Sequence, residues 1–145
     1  MQILKEWVMA DCCGKNKEKK STESCCAGSR TVLLYACSGG ANVAEISDKA
    51  ARELMFAGQG TMFCLAGLGA GIPGMIQTAK DADVNLVIDG CPMDCAKKVF
   101  EKAGVTNYTV IRVTDLGIEK TKGVRCTQEQ VDKVIAKARE VLAKA

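Results

Sequence analysis

The regular pattern of the chain begins at Thr31. Thr31-Val32-Leu33-Leu34-Tyr35-Ala36 is apolar at nearly every position, as expected of a strand buried on both faces. Cys37 to Asn42 is turn-like, with Asn42 a candidate N-cap. Val43, Ile46, Ala50 and Leu54 then recur at helical spacing up to Phe56, and Gly58 and Gly60 end that helix. Thr61-Met62-Phe63-Cys64-Leu65 predicts a second strand. Ala66 to Gly74 carries four glycines and a proline and reads as a mobile loop before a short helix through Met75, Ile76 and Ala79.

The third strand is Asn85 to Asp89, and a helix follows Cys91. Pro92 suits the first turn of a helix because its missing amide hydrogen would have no partner there. Cys91 is then expected just outside the helix and Cys95 about one turn inside it. Gly104 stops the helix, and Asn107 to Val113 alternates as a fourth strand. The last helix starts at Thr127, where Thr127 and Gln130 form a capping-box pattern. Val131, Val134, Ile135, Ala138 and Leu142 make its apolar stripe.

Strands alternating with helices predict an α/β domain of Rossmann-like, three-layer type, with a mostly parallel four-stranded sheet. That domain covers 31–145. Residues 1–30 are rich in Lys, Ser and Gly without a hydrophobic period, and are expected to form a flexible, cysteine-containing segment.

Composition narrows the function. The 145 residues are 48% hydrophobic but only 4% aromatic, so the core must be aliphatic. Lys and Arg number 20 against 17 Asp and Glu, too even a balance for a nucleic-acid footprint. The longest apolar run, Met62 to Ile76, is 15 residues and is broken by glycines and a proline, which argues against a membrane span. Lys5 and Glu6 interrupt the apolar N-terminus, so it makes a poor signal peptide. The expected location is the cytoplasm, and the expected partner is a metal ion, with no nucleic acid and no membrane.

Cysteine and histidine content is the most unusual feature: nine of the first and none of the second. Histidine acid–base chemistry and histidine metal ligands are excluded. Thiols in a chain without a secretion signal point to metal or redox work. In a parallel α/β fold, ligands bind at the carboxyl ends of the strands. Cys37 ends the first strand, Cys64 lies near the end of the second, Cys91 follows the third and Cys95 joins from the helix. Four thiols at one sheet edge suit an all-thiolate zinc site. The bland alternative for Cys64, between Phe63 and Leu65, is a small buried hydrophobe. The paired Cys12, Cys13, Cys25 and Cys26 are candidates for a second soft-metal site or a disulfide, against incidental thiols in a tail.

Ala36-Cys37-Ser38-Gly39, Phe63-Cys64-Leu65-Ala66-Gly67, Asp89-Gly90-Cys91-Pro92 and Cys95-Ala96 together resemble the DGC family, named for its Asp-Gly-Cys motif. The similarity runs from about Thr31 to the final helix. The resemblance implies zinc binding, with the four characteristic cysteines falling on Cys37, Cys64, Cys91 and Cys95. It implies no established reaction. The N-terminal cysteines and Cys126 lie outside that pattern.

Other motifs compete less well. Gly69, Gly71 and Gly74 satisfy Gly-x-Gly-x-x-Gly, but Pro73 removes an amide from the cradle. Lys97, six residues after Cys91, stands where a thiol phosphatase loop needs arginine for two-point phosphate contact. Asp89 and Asp94 flank the thiols, where a turn hydrogen bond and a charge near a helix N-terminus are their simplest roles. A thiol–disulfide exchange protein, with Cys91 attacking and Cys95 or Cys64 as partner, is the alternative function.

Overall fold

The computed structural model describes residues 30–145. The flexible segment expected over 1–30, and with it Cys12, Cys13, Cys25 and Cys26, therefore lies outside the described residues apart from Arg30. The element order is β1 (Val32–Ala36), α1 (Asn42–Phe56), β2 (Thr61–Met62), α2 (Leu65–Gly69), α3 (Pro73–Asp81), β3 (Val84–Asp89), α4 (Cys95–Ala103), β4 (Tyr108–Arg112) and α5 (Gln128–Leu142). The four strands form one sheet in the order β2-β1-β3-β4, and every pairing is parallel. The predicted α/β class holds.

Alternation along β1 and β3 divides the core in two. Leu34, Leu86 and Ile88 pack with Ile46 and Leu54 of α1 and Val134 of α5 on one face of the sheet. Leu33, Tyr35 and Val87 pack with Phe100 of α4 and Leu68 of α2 on the other. Both faces of the two central strands are covered, which is why their sequences read as unbroken apolar runs. Tyr35 and Phe100 meet edge to face at 4.7 Å, and Phe63 and Tyr108 pack against the same second core.

Several boundaries differ from expectation. β2 stops at Met62 rather than continuing to Leu65. The Cys64 thiol accepts the Gly67 N–H at 3.4 Å and turns the chain directly into α2. The glycine-rich segment expected as a mobile loop is thus largely helical. A side chain on Gly67 would run into the Met75 thioether, so that glycine serves packing. Pro73 opens α3, where its ring and missing N–H are tolerated. Gly69 lies in α2, Gly71 in the turn at φ 74° and Gly74 within α3, and they make no single cradle. α4 begins at Cys95, about a turn later than Pro92 implied. β4 ends at Arg112, and Val113 starts a 3-10 turn. The capping box at Thr127 forms as predicted.

Candidate functional site

The register brings the carboxyl ends of the central strands level. Ala36 lies beside Ile88, and Asp89 lies beside Arg112. Cys37, the next residue after β1, donates its N–H to the Ile88 carbonyl at 2.9 Å. Its thiol is buried beside the turn that carries Cys91. Burial pushes this thiol up from its ordinary value, and a hydrogen bond from the Gly90 backbone opposes that shift.

Asp89 sets the turn after β3. It is fully buried, and its two carboxylate oxygens accept the N–H groups of Ala96 at 3.0 Å and Lys97 at 2.9 Å. A carboxylate from the strand thus satisfies orphan amides of α4 and sits against the positive end of the helix. Asn42 is not the N-cap of α1; that position is Ala41. Gly90 passes so close to α1 that a Cβ there would lie 3.1 Å from Val43 Cγ2 and 3.3 Å from the Val43 carbonyl. The Asp and Gly of the motif therefore shape the turn that presents Cys91.

Between Cys91 and Cys95 the chain makes a tight turn closed by Asp94 N–H to Cys91 O at 3.0 Å. Asp94 adopts φ 52°, ψ 43°, a left-handed conformation that few side chains occupy and Asp tolerates better than most. A two-point contact with Arg112 holds it there, at 2.9 and 2.8 Å. Arg112 keeps the Asp94 carboxyl below its ordinary range. The backbone N–H of Met93 lowers the Cys91 thiol, burial works against it, and Lys120 adds to the lowering with Nζ 3.2 Å from the sulfur.

Lys120 comes from the segment between β4 and α5, and Asn42 anchors that segment. The Asn42 side chain accepts the Thr121 N–H at 2.7 Å and donates to the Glu119 carbonyl at 2.9 Å. A bridge between Ala41 and Lys122 continues the attachment. Asn42 was expected as a cap because its position, at a turn before a helical stripe, fits one. Its amide instead ties two loops together, since it can both donate and accept.

A cavity of about 410 Å³ opens at this edge, lined by Cys37, Cys91 and Cys95 among others, with Lys120 and Lys122 on its rim. Three of the four expected cysteines thus share one cavity. Cys64 does not line it; it is exposed at the start of α2 and is no buried core residue. Cys126, half-buried, lies apart: its N–H donates to Glu45 at 3.0 Å, and Lys49 Nζ stands 3.4 Å from its sulfur. Among the described residues, no three Cys, Asp or Glu side chains are already gathered to hold a metal ion. A cysteine has a single side-chain torsion, so moving its sulfur needs only a change of staggered well.

Sequence reasoning missed Arg112, Lys120 and Lys122. Arg112 gave one usable signal, a cation at the carboxyl end of a strand. The two lysines sit in a segment without hydrophobic period, and long-range contacts with Asn42 and Ala41 bring them to the thiols.

A model of the DGC domain matches residues 33–138. The anaerobic and virulence modulator AnvM of Pseudomonas aeruginosa is 29% identical over 110 residues, covering 76% of this chain and 84% of that protein. No solved structure matches the chain.

Proposed function

The chain belongs to the DGC domain family, and from that premise we propose that it is a metal-handling protein which holds zinc on cysteine thiolates at the carboxyl edge of its sheet. Cys37, Cys91 and Cys95 are the core donors, and Cys64, which lies outside the cavity at the start of α2, is the proposed fourth. The observation that carries the reading is the single cavity lined by three cysteines from separate segments. The donor set fits the metal: soft sulfur ligands without histidine or water-exposed carboxylates favour zinc over hard cations. Four thiolates on a divalent ion leave net negative charge, and Lys120 beside Cys91 offsets part of it. The metal would supply structural cross-linking and, if one donor is exchangeable, Lewis acidity. The relative's name, an anaerobic modulator, is in keeping with thiolates that release their metal when oxidised.

The lowered Cys91 thiol beside Lys120 favours a second reading, thiol–disulfide exchange with Cys91 attacking and Cys95 or Cys64 resolving. One experiment separates the two. Protein purified under reducing conditions should contain about one zinc per core domain, and Cys91→Ser should lose most of it. Wild type without zinc but with rapid exchange against a small disulfide, abolished in Cys91→Ser, would overturn the metal reading.

A further inference from the structure

The cavity has a charge pattern that metal binding by cysteine alone does not require. Two lysines, Lys120 and Lys122, stand on its rim, and no Asp or Glu lines it among the described residues. The two acids that flank the thiols are engaged elsewhere, and Glu119, next to Lys120 in the chain, is exposed and does not line the cavity. Both Asp89 oxygens accept α4 amides, and Asp94 is bound to Arg112. Neither lysine forms an ion pair with a carboxylate among the described residues. The backbone that carries both is held by Asn42 and the Ala41–Lys122 bridge, so the fold brings both exposed side chains to the cavity. Ala41, Val43 and Ala44 give the lining a small apolar part. A volume of about 410 Å³ suits a small organic molecule.

We propose that the cavity binds a small organic carboxylate, with Lys120 and Lys122 as its anchors and its other end directed at the thiols of Cys91 and Cys95. This deepens the metal reading by giving that site a ligand from solution, but it stands on the lysines and the cavity rather than on the metal.

The test uses the full chain, reduced and free of metal. Iodoacetate and iodoacetamide differ chiefly in charge. In each, the cysteine thiolate forms a bond to the methylene carbon as the carbon–iodine bond breaks and iodide leaves. Both reagents consume the same thiolate, so the ratio of their rates cancels any change in thiolate fraction. Rates are read cysteine by cysteine by mass spectrometry of peptides. The iodoacetate-to-iodoacetamide ratio at Cys91 and Cys95 should exceed that at Cys64 by about tenfold, the scale of electrostatic focusing in a charged cleft. It should fall toward the Cys64 value in Lys120→Gln or Lys122→Gln. Propanoate, and not propanamide, should protect the cavity thiols. Equal ratios at the cavity thiols and Cys64, or ratios unaltered in both lysine variants, would overturn the proposal. Zinc content is measured on separate samples. Absent zinc with a high ratio defeats the metal reading alone, and bound zinc with equal ratios defeats this one alone.

Discussion

At the residue scale, the most informative side chain is Asp89. Its place beside the thiols suggested a turn hydrogen bond or a charge near a helix N-terminus. Full burial, with both oxygens on α4 amides, makes it a cap for that helix. Asp89→Asn should therefore destabilise the fold even without metal. The new amide would present donors to a helix end that also offers donors, leaving one buried N–H unpaired at about 1–3 kcal/mol. Urea unfolding of the metal-free variant measures this; unchanged stability would show that the capping contacts carry little. Asn42 gives the converse lesson. Its importance was legible at position 42, but its partners 77 and 79 residues away were not, because a local pattern holds no information about which loop returns.

At the scale of elements, hydrophobic periodicity carried far where packing and local preference agree. β1, β3, α1 and α5 were readable for that reason, the last with its capping box. β2 and α2 were not. Phe63-Cys64-Leu65 has strand-like residues, yet the Cys64 thiol caps a helix there and Gly67 admits Met75. Tertiary contact overrode β propensity. The start of α4 was misplaced because Pro92 fits a turn as well as a helix. What fixes that turn is a contact between elements, Arg112 of β4 on Asp94. The Asp94 carboxyl is lowered from its ordinary 3.8 in the folded state, first by Arg112. A depressed carboxyl contributes stability that is fully present above its unfolded value and lost as pH falls through the lower, folded value. Arg112→Gln should thus be less stable than wild type at neutral pH, and the gap should close as pH falls below about 4. Glu45, held down to about 2 by Lys49, is common to both proteins and cancels. A gap of constant size from pH 7 to pH 3 would mean that Arg112 acts by packing its stem and not by its charge.

At the scale of the whole molecule, the cavity sits where the two cores meet. Cys37 follows β1, which belongs to both cores, and Cys95 opens α4, which packs in the second. The segment carrying Lys120 is tied to α1, which packs in the first. A metal held by Cys37, Cys91 and Cys95 would thus join segments that unfold together, and the unfolded chain would lose that arrangement. Linkage then requires zinc to stabilise the entire domain, by about 2.7 kcal/mol at a free concentration one hundred times the dissociation constant. The thermal midpoint should rise with zinc, return with a chelator, and lose its zinc dependence in Cys95→Ser. Serine at Cys126, which lies outside the cavity, should leave the shift intact. So should serine at Cys12, Cys13, Cys25 and Cys26 together, a substitution that separates metal held in the core from metal held by the N-terminal cysteines. A midpoint raised by zinc in wild type but not in that fourfold variant would move the stabilising site out of the core and away from Cys37, Cys91 and Cys95.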